Sequence, residues 1–424
     1  MLPWRRSDAP RLGRGFGPLW AANAVSNVGD GIALAAGPLL VASLTDDPAL
    51  IAGAAFAQQL PWLLFSLISG AYVDRLDRRR LVMLVNLVRA TVLGVLAVAV
   101  GTGAGTVLLV YLAFFVLGSA ETLADNASVT LLSTVVPADA LPTANARLMG
   151  TQILANQLAG PPLGAWLFVV AAALPFGANA ATFVLAAALL TLLPRHVGRA
   201  ADRDPTQRRR LRAEIAEGVR WLWHHRVLRM LAVSLCLMNI TFFGAFSILV
   251  LYARDRLGLS EVGYGVLLAC SSVGGLAGSV VAGRLERRFG ASLLLRVGLL
   301  VETATHLVFA LTRSPWVAGV TFAVFGVHAI VWGVVTLSLR QRVVPARLLG
   351  RANSVYYLFS VGGAAIGALT GGLLARSFGI TAPFWFAFSS MIVLTAVAWR
   401  LFTRQALDAE RQQVALEQDT DVPA

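Results

Sequence analysis

Six ionisable side chains interrupt long apolar stretches of this 424-residue chain. All six are aspartates, glutamates or histidines, which can bind and release protons: Asp30, Glu121, Asp125, Glu302, His306 and His328. A charge near the centre of a bilayer costs about 3 kcal/mol, so such residues usually face a cavity, pair with one another or bind protons. The chemistry that these residues allow is reversible protonation, and we assign that role to all of them except His328.

The spacing of the acids supports this assignment. Glu121 and Asp125 are four residues apart, as are Glu302 and His306, so each pair shares one face of a helix. Two carboxylates that lie close together resist double ionisation, and one of them then holds a proton more tightly. At about 1.5 Å of rise per residue, a helical segment that contains Asp30 would carry it about 18 Å into the apolar layer.

Structural interpretations of the same residues remain open. Asp30 can be explained by hydrogen bonds across helices to Asn23 or Asn27. Arg89, in an apolar segment of its own, can neutralise Asp125 as a structural pair.

Twelve apolar runs can position these side chains, because about 20 apolar residues cross the hydrocarbon layer as a helix. Six precede a basic gap and six follow it: 18–44, 49–73, 80–101, 105–134, 143–170, 172–193, then 227–253, 261–283, 291–311, 315–341, 348–375 and 380–402. The hydrophobic share is 57% and the charged share 13%, against about 25% charge in soluble domains. The sequence predicts an all-α membrane protein with twelve transmembrane helices.

The two halves repeat one another. Val-Val-Pro-Ala occurs around Pro137 and again around Pro345, an offset of 208 residues. Gly70 and Gly278 begin similar segments that end in arginine pairs, at an offset of 208 to 209 residues. Duplication at half the chain length predicts two pseudo-symmetric six-helix bundles.

Arginine distribution predicts the orientation, since loops on the cytoplasmic side retain positive charge. Arginines cluster before 18, near 75–80, near 284–288 and near 340–351, whereas the alternate loops are nearly free of them except at Arg254, Arg256, Arg313 and Arg376. We therefore expect a bacterial inner-membrane protein with a cytoplasmic segment at 1–17, bundles at 18–193 and 227–402, a basic cytoplasmic loop at 194–226 and a cytoplasmic tail at 403–424. The middle loop either forms an amphipathic helix on the membrane surface or is a solvated tether.

Other classes of protein are disfavoured by the sequence. The net charge of +13 comes from arginines in short breaks between apolar runs, so it predicts no nucleic-acid partner. Cys236 and Cys270 both lie in apolar segments, and no ATP-binding loop, catalytic triad or metal-ligand cluster is present in the sequence. We expect no enzyme activity, no metal and no cofactor.

Local motifs resemble the major facilitator superfamily. Gly70, Asp74, Arg75, Arg78 and Arg79 are similar to its loop between spans 2 and 3, although many members have glycine in place of the aspartate at position 77. The resemblance implies the major facilitator fold. It also implies that these residues form a conformational switch in which Asp74 latches the two halves near the start of span 11. The plain alternative is that the arginines only anchor the topology.

A second motif resembles proton-coupled drug exporters. It is rich in glycine and proline and consists of Gly160, Pro161, Pro162 and Gly164 in span 5. The segments at 120–127 and 156–162 are similar to bacterial exporters of the macrolide-efflux and enterobactin-exporter type. The motif also has a packing explanation, because small residues allow close helix contact and proline bends a span.

A substrate cavity is expected between the halves near the bilayer midplane, as in other transporters of this kind. Candidate lining residues are polar or aromatic: Asn23, Asn27, Phe242, Phe246, His328, Trp332 and Tyr356. For His328, packing in the core is the competing explanation. An acidic, aromatic cavity suits amphiphilic or cationic molecules better than sugars or phosphates.

The resulting prediction is a monomeric, proton-coupled exporter of amphiphilic small molecules such as drugs, macrolides or siderophores. It would act by rocking of the two bundles in the lipid bilayer, with protons moving in the opposite direction. An importer, a lysophospholipid flippase of the same fold and a membrane receptor or scaffold without transport remain alternatives.

Overall fold

The computed structural model describes residues 12–13, 15–73, 76–194 and 219–420, excluding the side chains of 66–73, 129, 346–347, 411 and 415–420. The regular elements within these ranges are helices. Most of the basic middle loop, at 195–218, lies outside the described residues, so both interpretations of that loop stay open.

The first half of the chain supplies the helices of six predicted spans. They are α1 (Phe16–Leu44), α2 (Pro48–Val73), α3 (Arg78–Gly101), α4 (Val107–Val135), α5 (Leu141–Gln152), α6 (Gly160–Val170) and α7 (Leu174–Thr191). A π-helical stretch, Ile153–Ala159, joins α5 to α6 within the fifth predicted span. Pro161 and Pro162 have no N–H to donate to the preceding turn, which explains why the helical hydrogen bonding loosens at this point.

The second half follows the same plan. Its helices are α8 (Arg226–Phe246), α9 (Glu261–Leu311), α10 (Pro315–Val343), α11 (Ala346–Phe378), α12 (Ala382–Ala398) and α13 (Arg404–Thr420). The 51-residue α9 contains two predicted spans joined at Gly290, whose φ of 77° and ψ of 161° are non-helical. Only glycine adopts such a backbone conformation readily, so Gly290 allows the chain to change direction without a loop.

Ten helices among the described residues are long and apolar enough to cross a bilayer, and Ala382–Ala398 is a shorter apolar helix. The chain is therefore a multi-pass, all-helical membrane protein, as predicted. The number of twelve crossings stays a prediction.

The chain divides into two compact units. Unit 1 comprises Met1–Ala36, Leu64–Gly105 and Val116–Arg203, and unit 2 comprises Gly37–Leu63, Thr106–Phe115 and Asp204–Ala424. Within unit 1, glycines of α6 allow intimate contact with α1, since a Cβ at Gly160 would overlap the backbone of Gly31 and one at Gly164 would overlap Ile32. The motif at 160–164 is thus a packing contact in this structure.

Unit 2 contains an equivalent contact between α8 and α11. A Cβ at Gly367 would overlap the carbonyl of Ile240, and one at Gly371 would overlap the backbone of Gly244. The same device, glycines on one helix against the backbone of another, therefore recurs in both halves of the duplicated chain.

Candidate functional site

The first candidate site is a buried acid–arginine cluster in unit 1. Arg89, from the middle of α3, donates a hydrogen bond from Nη2 to Asp30 Oδ1 of α1 at 2.8 Å. Its guanidinium carbon lies 4.1 Å from the ring centre of Phe183 on α7. Asp125 of α4 is exposed and lies within electrostatic reach of both Arg89 and Asp30. One carboxylate thus pairs directly with the guanidinium, and a second lies within its electrostatic influence.

Local sequence explains why Arg89 lies so deep in the unit. Asp77 caps the start of α3 by accepting a hydrogen bond from the Arg80 backbone N–H at 3.0 Å. Twelve residues later, about 18 Å along the helix axis, Arg89 enters a layer where its side chain is 8% exposed. The aspartate at position 77, which departs from the superfamily pattern, therefore has a structural role as a helix cap.

Asp30 and Arg89 pair with each other, and neither has the partner that the sequence had suggested for it. The Asn27 amide donates to the Asn23 backbone oxygen at 2.8 Å and to Asn23 Oδ1 at 3.1 Å, so the two asparagines bond to each other. Arg89 makes its direct ion pair with Asp30. Glu121, one turn before Asp125 on α4, is half-buried and takes part in polar interactions.

A second candidate site lies in unit 2, where α9 and α10 bring three ionisable groups together. Glu302 accepts a hydrogen bond at Oε2 from His328 Nε2, 3.0 Å away. Its other oxygen, Oε1, lies 3.5 Å from His306 Nε2. All three residues are buried, with Glu302 only 2% exposed. One carboxylate is thus flanked by two imidazoles inside the bundle.

A small aromatic cavity of about 20 Å³, room for about one water molecule, adjoins this acid–imidazole cluster. Most of its lining residues are aromatic or apolar: Phe242, Ala245, Phe246, Leu249, Thr305, His306, Phe309, Phe322, Phe325 and Phe384. His306 belongs both to the cavity wall and to the cluster. Two of the predicted substrate residues, Phe242 and Phe246, therefore face a common cavity.

Other predicted substrate residues lie in the core of unit 2. Trp332 is 7% exposed and packs against the His328 ring at 5.9 Å between ring centres. Tyr356 is 3% exposed, and its hydroxyl donates to the Leu228 carbonyl at 2.6 Å. These two aromatic residues support the cluster and the helix packing, and they do not line the cavity.

The motif between α2 and α3 is described only in part. Gly70 lies in α2, whereas Asp74 and Arg75 lie outside the described residues. Arg78 is buried, and Arg79 donates to the backbone oxygens of Leu190 at 3.0 Å and Thr191 at 2.8 Å. Cations at the carboxyl end of a helix interact favourably with its dipole, so Arg79 ties α3 to the end of α7.

Two of the four arginines in the otherwise arginine-poor loops, Arg254 and Arg376, pair with acids in unit 2. Arg254 contacts Asp255 at 2.7 Å and Asp46 at 2.8 Å, and Arg376 lies 3.5 Å from Asp47. Hydrogen bonds to Asp255 and Asp46 raise the pKa of Arg254 above its ordinary value. The acids offset the positive charge that these loops carry.

Comparison with known proteins identifies the family. The sequence pattern that defines the transmembrane secretion effectors matches residues 7–421. The chain belongs to this family. It is therefore a transporter of the major facilitator type, not an enzyme.

Relatives of this secretion-effector chain include characterised pumps. The multidrug efflux pump Tap of Mycolicibacterium fortuitum is 29% identical over 399 residues, which cover 90% of this chain and 94% of the pump. A Na(+), Li(+), K(+)/H(+) antiporter of Planococcus maritimus is 26% identical over 191 residues, 44% of each chain. Together these matches make the chain a secondary transporter.

Solved structures agree with the fold. A bacterial homologue of the iron transporter ferroportin, in an inward-facing state, has a TM-score of 0.75 at 18% identity and covers 92% of this chain and 99% of its own. The nucleoside transporter NupG, as its D323A mutant, has a TM-score of 0.76 at 11% identity and covers 92% and 100%. The predicted major facilitator fold is confirmed.

Several cavity and cluster residues of this transporter were missing from the sequence-based candidates. They are Arg89 as the partner of Asp30 and four aromatic residues: Phe309, Phe322, Phe325 and Phe384. The sequence did contain a signal for Phe309, because Thr305 and Phe309 are four residues apart on α9 and share a helix face with His306 and Glu302. Phe384 carries no such signal, since it lies on a different helix.

Proposed function

We propose that this chain exports amphiphilic small molecules, such as drugs, macrolides or siderophores, in exchange for protons. The family, the similarity to a multidrug efflux pump and the similarity to a cation–proton antiporter support this proposal. The observation that carries it is the cluster of Asp30, Arg89 and Asp125, because Arg89 pairs with Asp30 and leaves Asp125 as a second acid within electrostatic reach.

The cluster has one excess negative charge when both acids are ionised. A proton on Asp125, the exposed acid, makes the cluster neutral. Because a net charge in apolar surroundings costs about 3 kcal/mol, protonation favours burial of the cluster and ionisation favours its contact with water. Transport is coupled when substrate favours the opposite conformation, since each ligand shifts the equilibrium toward the state that it binds better.

Other residues have supporting roles in this proposal. Glu121 lies one helical turn from Asp125 and can relay the proton, and Glu302 with His306 forms a second proton-binding site. Of the predicted substrate contacts, Asn23, Asn27, Phe242, Phe246 and His328 keep that role in this proposal. Trp332 and Tyr356 instead support the packing of unit 2. The motif of Gly70, Asp74, Arg75, Arg78 and Arg79 acts as the conformational switch.

We further propose that the protein works as a monomer in the bacterial inner membrane, with both termini and the loop at 194–226 cytoplasmic. The arginine distribution supports this orientation. Labelling of a cysteine introduced at Asp204 tests it, because a membrane-impermeant maleimide should react only after the cells are opened. Labelling in intact cells would reverse the assignment.

The test of coupling uses everted membrane vesicles with an acidic lumen, a pH-sensitive dye and ethidium as substrate. For an exporter, ethidium enters the lumen and protons leave it, so addition of ethidium should raise the luminal pH. Asp125→Asn should abolish this signal, whereas Asp139→Asn, the same chemical change at an exposed position, should retain it.

Each alternative gives a different result in these vesicles. Uphill movement of substrate toward the former cytoplasmic face would identify an importer. Binding of ethidium without proton movement would identify a receptor, and movement of lysophospholipid alone would identify a flippase. Proton movement that is unchanged in Asp125→Asn would refute the assignment of the coupling residue.

A further inference from the structure

A contact between an arginine and a tryptophan joins α9 to the end of α12 in unit 2. Arg296 of α9 donates from Nε and Nη2 to the Trp399 carbonyl, at 3.0 Å and 2.7 Å, and its guanidinium carbon lies 4.9 Å from the centre of the Trp399 ring. Trp399 directly follows the last residue of α12, where carbonyl groups lack helical partners. These bonds hold the guanidinium in place and use only part of its five N–H groups. The remaining N–H groups can therefore bind an anion.

Positive charge is in excess around this contact. The adjoining segments, 284–296 and 399–404, contain six arginines and one acid, Glu286. That acid pairs with Arg342 at 3.0 Å. Arg400, the residue after Trp399, is exposed and makes no ion pair with an acid in the part of the chain that the structure describes. An anionic partner would offset charge that these segments leave unbalanced.

An apolar groove runs from this contact along the seam between α9 and α12. The Thr303 and Thr395 hydroxyls lie 3.2 Å apart across the same seam, so residue numbers rise on α9 as they fall on α12 and the helices are antiparallel. From Arg296 to Thr303 the seam is about 10 Å long. Exposed side chains follow it on each helix at spacings of four and three residues: Leu293, Val297 and Leu300 on α9, and Ile392, Ala396 and Trp399 on α12.

Both rows of exposed side chains flank the same side of the seam. On each helix the row is rotated in the direction of rising residue number from the positions that face the other helix, because successive residues turn by about 100°. Right-handed helices that run in opposite directions turn in opposite senses when they are viewed from one end. The two rotations therefore bring the rows to one side, where they form the walls of a single groove open to the lipid.

We propose that this seam binds an anionic phospholipid, whose phosphate accepts hydrogen bonds from Arg296 and whose acyl chain lies along the apolar groove. Arg400 is the second cation near the phosphate. The guanidinium suits this role because its planar array of donors matches phosphate oxygens, and basic residues at the membrane surface attract anionic lipid headgroups. Retention of a loop by positive charge explains the number of arginines, but it requires neither a fixed guanidinium nor a groove beside it.

This site goes beyond the proposed export, because it depends on neither the substrate nor the coupling ion. A free phosphate shares the chemistry of the headgroup, but only a lipid also covers the exposed apolar rows. Burial of apolar surface contributes roughly 25 cal/mol per Å², so the acyl chain should supply much of the affinity.

The experiment is titration of the full-length protein in detergent micelles with phosphatidylglycerol whose acyl chains carry bromine, which quenches the fluorescence of nearby indoles. The chain has ten tryptophans, so the difference between the unaltered protein and Trp399→Phe gives the signal of Trp399. We expect this signal to be quenched in a saturable manner. Brominated phosphatidylcholine, which has the same chains and no net charge, should bind at least about fivefold more weakly.

Soluble glycerol 3-phosphate distinguishes a lipid from a free phosphate. It has the charged group without the acyl chains, so it should not displace the brominated lipid at equal concentration. Displacement at equal concentration would show a site for free phosphate and would overturn the lipid as occupant.

Arg400→Gln removes one exposed charge and no hydrogen bond within the protein. It should weaken the binding of phosphatidylglycerol by about fivefold and leave that of phosphatidylcholine within about twofold. Arg313→Gln is the matched control, because Arg313 is also exposed but follows the opposite end of α9. It should bind both lipids as the unaltered protein does.

Ala396→Phe tests the groove separately from the charges. The larger side chain fills the space between the two apolar rows, so it should weaken the binding of both lipids. Equal binding of the two lipids by the unaltered protein would overturn the proposal. Unchanged binding of phosphatidylglycerol by either Arg400→Gln or Ala396→Phe would do the same.

Discussion

The ion pair between Asp30 and Arg89 should show strong energetic coupling in a double-mutant cycle. At the 2.8 Å that separates Arg89 Nη2 from Asp30 Oδ1, two unit charges attract by about 6 kcal/mol at an effective dielectric constant of about 20. The net value is smaller, because Arg89 loses its hydration when it is buried and the Asp30 side chain is 26% exposed.

Each single change removes a different set of interactions. Arg89→Met leaves the Asp30 carboxylate without its cation and removes the contact with the Phe183 ring, which should cost about 3 kcal/mol of unfolding free energy. Asp30→Asn leaves Arg89 in contact with Phe183 and removes one charged hydrogen bond, which should cost about 2 kcal/mol. The double variant should lose about 3 kcal/mol, so the coupling energy is about 2 kcal/mol.

The measurement is reversible unfolding of the four proteins in mixed micelles by increasing the fraction of denaturing detergent. A control cycle combines Asp30→Asn with Arg80→Gln, since Arg80 is 87% exposed and pairs with Asp77. That cycle should be additive within about 0.5 kcal/mol. A coupling energy below this value for Asp30 and Arg89 would mean that their contact contributes nothing specific, and the charge argument for the cluster would fail with it.

Three further changes test the packing and the helix caps. Gly371→Leu should destabilise unit 2 by about 3 kcal/mol or more, because its Cβ would overlap the backbone of Gly244; thermal unfolding of the purified protein measures this. Glu410→Ala should lower the free energy of unfolding by about 1 kcal/mol, since Glu410 accepts a hydrogen bond from the Val227 N–H at the start of α8. Glu410→Gln keeps an acceptor oxygen, so detergent-induced unfolding should show that this variant retains most of that stability. Asp77→Ala should cost about 1 kcal/mol through loss of the α3 cap, whereas Asp77→Asn should be nearly neutral in the same assay.

The spans were predictable from the sequence because their signal is local. A bilayer imposes a minimum apolar length, and each run of that length can be read without knowledge of its neighbours. Two details escaped this approach. The π-helical stretch before Gly160 depends on the hydrogen bonds that two prolines cannot make. The junction at Gly290 is a kink at one non-helical residue between two helical segments, in place of a loop.

The candidate residues were predictable by type, and their pairing was predictable only within one helix, as for Glu302 and His306. Buried charge in an apolar run marks Asp30, Glu302 and Arg89 individually. Which of them meet depends on the rotation of each helix about its axis, and a difference of one residue turns a side chain by about 100°. For this reason Arg89 could be weighed against Asp125 from the sequence, whereas its direct contact is Asp30, 59 residues away.

The two halves kept the same backbone packing and acquired different ionisable chemistry. At the duplication offset of 208 residues, the counterpart of Arg89 is Val297 and the counterpart of Glu302 is Gly94. Contact between helix backbones leaves room for no side chain, so glycines persist at both contacts after duplication.

For buried charged residues, the constraint is on the net charge of the cluster and not on which residues form it, because a neutral arrangement avoids most of the cost of burial in apolar surroundings. One half pairs a guanidinium with a carboxylate, whereas the other half flanks a carboxylate with two imidazoles.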